Sequence, residues 1–544
     1  MTALAPAPVV AAGSAGQGLR TMVRRQLRAN RTSTIVMAVL VAIANAVQIQ
    51  AYTSVFPSAA SRDALLLPFA SNAGLRVLYG YPFDIGDVTG WVSWRSVSFV
   101  GLVLAVWAIM ITCGALRGEE DAGRGEITLS QPQPRARWFA AAVCAVAIET
   151  AVIGVVSTAA MAVVGVGNHL MSVANSVELG LQVSLPAILF GAIAALACQL
   201  WGTVRAARLW AGAVLAVAFG IRAVADTGTG LGWLRWVSPL GWFEELRPPQ
   251  PPGVVPLVVI LGTSAVVVAA ALPLLARRDI GLGVLAQSDS RPPRRFLLRT
   301  PWQAALRDEL PQLATWLVVT MAMTALMGGL IKTVLDLVNQ NPVMARVTGA
   351  EVGVNAFVAA MFSLIQVIAA LLVVTLVAGA RGEEATGRLE LLLAMPRARL
   401  GWLAGRVVLA AGLAALLCLL AALAMWAGAA ATGQHVALGA LLAATGNSLP
   451  VVVVTAGFAT AVLGLAPRAV SAGYAVVAVA YLWDALGTAL RAPHWTLELS
   501  PFHALAQVPL QHVAVTPVLV LCALGLALFG AGAAAFRRRD LAAG

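Results

Sequence analysis

The sequence predicts an all-α polytopic membrane protein with twelve spanning helices, arranged as two parallel six-helix pseudo-repeats. Three observations carry this expectation. The 544 residues are 60% hydrophobic and 11% charged, with a mean hydropathy of +0.85, whereas an ordinary soluble domain carries about 25% charged residues. Apolar stretches of the roughly 20 residues needed to cross a bilayer recur along almost the whole chain. Segments such as "LLVVTLVAGA" and "VVVVTAGFATAVLG" show no polar face, which excludes a soluble helical protein. Finally, the second half repeats short motifs of the first, in the same order.

The spans are placed near 33–54, 97–116, 138–166, 181–202, 209–225 and 254–276, and then near 312–333, 355–379, 402–428, 446–466, 470–489 and 513–535. The chain therefore divides into a disordered tail (1–18), a first six-span half (19–280), a linker with an interfacial helix (281–311) and a second six-span half (312–544). The tail imitates a signal peptide, but its arginines follow the apolar run instead of preceding it. Orientation comes from the basic residues: 27 fall on the side of both termini and nine on the other. Loops enriched in Lys and Arg are cytoplasmic, so both termini are expected inside the cell. The net charge of +12 is thereby a topology signal, and nucleic acid is not an expected partner.

Each half opens on a basic amphipathic stretch. Leu19, Met22, Val23 and Leu27 share one helical face, and Trp302, Ala305, Leu306 and Leu310 repeat that spacing. Such helices lie in the membrane interface. Between the fifth and sixth spans of each half, "WLRWVSPLGWFEELRP" and "WTLELSPFHALAQVP" read as short external re-entrant helices, tolerated only where protein or water satisfies their backbone. The cysteines and histidines show no metal-ligand spacing.

The repeated motifs are specific. "SLP" at Ser184–Pro186 recurs at Ser448–Pro450, and "SP" at Ser238–Pro239 recurs at Ser500–Pro501. "RRD" from Arg277 recurs from Arg538, just after the last span of each half. Longest is "RGEEDAGRGEITLSQP" from Arg117, matched 264 residues later by "RGEEATGRLELLLAMP" from Arg381. Both copies lie in the cytoplasmic loop between the second and third spans of their half. Glu120 with Arg124, and Glu384 with Arg388, have the i,i+4 order that supports a helix, yet such pairs contribute only about 0.2–0.5 kcal/mol. The duplication is better explained by docking. Two matching cytoplasmic faces suit a symmetric dimer, and Leu389, Leu392 and Leu393 form the apolar side of the second copy. With Gly125 and Thr128 in place of Leu389 and Leu392, the first copy is the less apolar dock.

"RGEEATGRLELLLAMPRARLGWLAGR" resembles the loop of ABC-2 type exporter permeases, in which E-x-x-x-G-x-L-E-x-L-L-x-x-P-x-x-R joins the second and third spans. The fused twelve-span layout is similar to that of actinobacterial antibiotic and multidrug exporters of the polyketide-export kind. The resemblance covers the whole length in layout and about twenty residues per half in motif. It implies that Glu119, Glu120, Arg124 and Glu126, with Glu383, Glu384, Arg388 and Glu390, form two coupling helices for ATP-binding cassette subunits. It also implies a bacterial plasma membrane location and a pathway lined by the second, fifth, eighth and eleventh spans. Phe99, Trp107, Phe357, Phe362 and Gln366 are candidate lining residues, for hydrophobic or amphipathic cargo.

An exporter of this kind hydrolyses ATP, and this chain has no phosphate-binding loop G-x-x-x-x-G-K-[ST]. Its single lysine, Lys332, sits in "GGLIKT", with Ile331 at the required glycine. The chain is thus expected to be a permease and not itself an enzyme. ATP and Mg are expected on two copies of a separate subunit, and no cofactor is expected here. The rival is a proton-coupled secondary transporter, which marks its ion path with intramembrane acids. Glu149, Arg222 and Asp484 are the intramembrane charges. Aligning the two "SP" motifs puts Arg222 and Asp484 at equivalent places, a candidate gate ion pair, with Asp484 the proton carrier in the rival reading. A lipid or glycolipid exporter suits the same apolar walls.

Overall fold

The computed structural model describes residues 15–55, 73–123, 125, 134–227, 230–248, 253–285, 296–297, 300–332, 335, 349–385, 387–394, 398–487 and 493–540. The chain falls into two compact units, Met1–Arg291 and Pro292–Gly544. The expected tail lies almost wholly outside the described residues.

The first unit comprises α1 (Ala15–Val55), α2 (Val88–Asp121), α3 (Arg135–Gly167), α4 (Val173–Leu200), α5 (Val204–Thr227) and α6 (Val254–Arg277). The second comprises α7 (Pro301–Gly329), α8 (Gly349–Ala385), the short α9 (Arg388–Leu393), α10 (Arg399–Ala431), α11 (Leu438–Leu465), α12 (Ala472–Gly487) and α13 (Val515–Arg538). All secondary structure among the described residues is helical, and eleven helices are long and apolar enough to cross a membrane. The helix at the remaining expected span, α12, has 16 residues. At 1.5 Å per residue this described part measures about 24 Å, against a hydrocarbon core of roughly 30 Å, and residues 488–492 directly after it lie outside the described residues.

Both amphipathic leads differ from expectation in one respect. They are the opening turns of α1 and α7, not separate interfacial helices. No glycine or proline interrupts the chain between Leu19 and Val55, so nothing stops the backbone ladder, and α1 runs 41 residues. In α7, Pro311 is carried inside the helix.

Within the first unit α4 is the hub, packing on α2, α3, α5 and α6. In the second, α11 packs on α8, α10 and α13. Each hub carries an "SLP" motif, and Pro186 and Pro450 both lie inside their helices. The serine two residues earlier bonds back to a carbonyl four residues before it, Ser184 to Gly180 O at 2.7 Å and Ser448 to Ala444 O at 2.9 Å. The hydroxyl thus finds its partner within the helix, as a polar group away from water must.

Small residues let these helices touch at the backbone. A Cβ on Gly457 of α11 would meet the carbonyl oxygen of Gly525 of α13 at 2.0 Å, and one on Gly464 would meet that of Gly532 at 2.2 Å. Such contacts replace a hydrophobic driving force, which is weak between helices already in lipid. The backbones cannot yield without parting the helices. Replacing Gly457 by Val is expected to destabilise the second unit by roughly 1–3 kcal/mol or more, read as a lower unfolding temperature of the detergent-solubilised protein. Gly530→Ala, which meets nothing within 4 Å, should leave that temperature unchanged.

Candidate functional site

At the α2–α3 end of the first unit, α2 passes through a π-helical turn, Gly114–Gly118. The turn carries Arg117 inward. Its Nε donates to Cys198 O at 2.6 Å and its Nη2 to Leu282 O at 2.7 Å, while Nη1 meets the Glu120 carboxylate at 2.8 Å. Glu120 is also held by Arg278, which follows α6, with Nη2 and Nη1 at 2.5 and 2.9 Å. The Gly281 amide donates to the same carboxylate at 3.2 Å. The Arg278 Nε is taken by Gln199 Oε1 at 2.8 Å. Beyond Arg278 the chain folds back as a strap, with the amides of Val284 and Leu285 donating to Gln199 O and Leu200 O. Two motifs far apart in sequence, "RGEE" and "RRD", therefore close on one buried carboxylate.

The same motifs meet in the second unit. Arg539 grips Glu384 with two prongs, at 2.5 and 2.7 Å, and Arg381 lies 3.3 Å from the same carboxylate. The expected Glu384–Arg388 helix pair is not formed. Gly387 has φ +73, so α8 ends at Ala385 and α9 begins at Arg388 on a new axis. The remaining predicted coupling residues divide in two. Glu119 pairs with Arg25 of α1 at 3.1 Å. Glu383 pairs with Arg406 of α10, which also reaches Glu309 of α7 at 3.5 Å. Arg388 and Glu390 are exposed, and Arg124 and Glu126 lie outside the described residues. The predicted apolar trio is also rearranged. Leu389 is fully buried, and the leucine offered outward is Leu391, 75% exposed.

The opposite end of each unit is organised by its "SP" serine. Ser238 donates to Ala218 O of α5 at 2.6 Å and caps the short helix Pro239–Glu244. Ser500 donates to Ala480 O of α12 at 2.9 Å and caps Pro501–Ala504. Each short helix then places an ionisable group on the fifth helix of its unit. In the first, Glu244 meets Arg222 at 3.1 Å, and Arg235 joins Asp226 at 2.7 Å. The Arg235 guanidinium lies over the Tyr81 ring, 4.3 Å from its centroid. In the second, His503 Nδ1 lies 2.8 Å from Asp484. Arg222 and Asp484, the candidate gate pair, thus each carry a partner inside their own unit.

A cleft of about 30 Å³ lies beside Arg222, lined by Ser98, Phe99, Gln182, Phe219 and Glu244 among others. A bound water needs about 10–15 Å³, so the cleft admits water and not a drug-sized molecule. Phe99 is 48% exposed, while Trp107 is buried with its Nε1 donating to Ser33 at 2.9 Å. Phe362 is buried and Phe357 half-buried. Gln366, on α8, is 3.4 Å from the "SLP" hydroxyl Ser448. Glu149 is buried in α3 and accepts from the Asn30 amide of α1 at 3.3 Å.

Sequence reasoning missed Arg278, Arg539, Gln199, Glu244 and His503. The duplicated "RRD" was a signal for the first two, because it recurs in step with "RGEE". Nothing in the local text marked the other three.

Helices of spanning length, buried charges paired inside each unit and connectors returning on their own helices define a multi-pass integral membrane protein. The chain belongs to the multidrug efflux permease family whose profile is described as "Multidrug efflux system permease Rv1217c, C-terminal domain", matched over residues 19–274 and 298–537. It is 30% identical over 546 residues to the multidrug efflux system permease protein Rv1217c of Mycobacterium tuberculosis (strain ATCC 25618 / H37Rv), covering 97% of this chain and 96% of that relative.

Glu244 lies outside the spanning helices, and burial pushes its carboxyl up to about 8. The folded state thus holds this proton where the unfolded chain has lost it. That contribution is fully present below the unfolded value near 4.5 and is lost as pH rises toward 8. The unfolding temperature should therefore fall between pH 5 and 8 more steeply in the wild type than in Glu244→Gln, measured by differential scanning fluorimetry in detergent.

Proposed function

We propose that this chain is the membrane permease of an ABC exporter for hydrophobic or amphipathic small molecules, with the ATP-hydrolysing work done by two copies of a separate ATP-binding cassette subunit. Both termini and both charged loops face the cytoplasm of a bacterial cell, and the units are two parallel six-helix repeats. ATP and Mg belong to the partner subunits.

The observation that carries this reading is the second charged loop. Its inner carboxylate, Glu384, is consumed by Arg539, which anchors the loop to the end of α13. Its outer face, Arg388, Glu390 and Leu391, is exposed. A leucine set between opposite charges on a short helix suits a polar-rimmed apolar socket. The inner pair holds the loop and the outer face docks, so the two glutamates of "RGEE" are anchors and the residues beyond Gly387 make contact. The exported molecule in the relative's name, a drug, suits spanning helices as apolar as these.

The Asp484–His503 pair favours a second reading, proton-coupled antiport, because an acid bonded to an imidazole is a pair able to pass a proton. One set of measurements separates the two. Efflux of a lipophilic dye from cells expressing the permease with its partner is followed for Leu391→Asp and for Asp484→Asn. The ABC reading expects Leu391→Asp to lower efflux and drug-stimulated ATPase activity at least tenfold at normal membrane abundance, with Asp484→Asn near wild type. Abolished efflux in Asp484→Asn, together with unaltered efflux in Leu391→Asp, supports the antiport reading instead.

A further inference from the structure

The "RGEE" and "RRD" motifs close on each other in both units, but the closures differ at one position. In the first, every nitrogen of the Arg278 guanidinium has a side-chain acceptor: Glu120 takes Nη1 and Nη2, and Gln199 takes Nε. The residue 264 positions after Gln199 is Leu463, on α11. Arg539 makes the same two-pronged grip on Glu384. Its Nε, however, is buried with no hydrogen-bond partner among the described residues. A leucine cannot accept that proton.

Burial follows the same division. The two carboxylates are buried alike, Glu120 at 1% and Glu384 at 2% exposed, but the guanidiniums differ: Arg117 and Arg278 are 0% and 2% exposed, Arg381 and Arg539 15% and 16%. Opening the first clamp would strip Arg278, 2% exposed, of all three of its side-chain hydrogen bonds, and a buried charge without its partner is strongly unfavourable. Opening the second leaves the buried Glu384 with Arg381 and releases a guanidinium that already reaches solvent and already lacks one bond.

We propose that the two clamps are unequal, the first a fixed abutment and the second a releasable latch, with Arg539 the positioning residue whose pair with Glu384 opens and closes the second charged loop during transport. The inference goes beyond ATP-driven export and does not depend on it, since a moving loop serves any energy source.

Hydrogen–deuterium exchange of the full chain in lipid nanodiscs, without nucleotide or partner, tests the inequality, because exchange reports local opening. Amides of residues 381–394 are expected to exchange at least tenfold faster than those of 117–123. Leu463→Gln, which supplies Arg539 with the missing acceptor, should slow the second loop severalfold and reduce dye efflux in cells at unchanged membrane abundance. Gln199→Leu should quicken the first loop. Equal exchange of the two loops in the wild type overturns the proposal, as does a Leu463→Gln chain whose second loop exchanges as in the wild type. Slowed exchange with undiminished efflux overturns the role in transport. Because the exchange readout needs no ATPase, failure here is distinct from failure of the ATP-driven reading.

Discussion

A charge that leaves water must bring its own solvation, and the pair formed by Glu120 and Arg278 shows how this chain meets that demand. The carboxylate is enclosed by two guanidiniums and a backbone amide. The geometry matters because an isolated buried ion costs several kcal/mol, and only close multiple hydrogen bonds offset it. Satisfying Glu120 therefore ties the ends of α2, α4 and α6 to one point, with the strap Asp279–Leu285 threaded through it. The positions of the charged loop, the strap and the α4 terminus all follow from that one enclosure.

The same rule acts elsewhere with different side chains. Ser238 and Ser500 use one hydroxyl to pin a short helix against the fifth helix of their unit, and each short helix carries an ionisable group into place. Glycines in α11 and α13 remove side chains so that two backbones touch. In each case apolar packing sets where helices lie, and a small number of polar bonds sets their register. What those bonds hold differs between the units. The first has an arginine–carboxylate cluster where the second has Asp484 and His503.

A division of labour follows within the second charged loop. Its inner acids reach Arg539 and Arg406, while Arg388, Glu390 and Leu391 stay exposed. The 30% identity to a multidrug efflux permease spans nearly the whole chain.

Apolar length, which any span must have to exclude water, was legible in the sequence. Eleven of the twelve expected spans are helices of sufficient length among the described residues, and the remaining one, α12, runs up to residues outside them. The duplicated "RGEE" and "RRD" were also legible as text, since repetition needs no coordinates. Their meeting was not, because Glu120 and Arg278 are 158 residues apart and no local spacing records a contact made by folding. Nor did spacing reveal that Gly387 turns the chain and sends Glu384 to Arg539 instead of Arg388. The sequence by itself determined that the protein lies in a membrane, because composition settles solvent. Only the tertiary structure decided which charges anchor and which remain outside, because that depends on which distant partner each one reaches when water is gone.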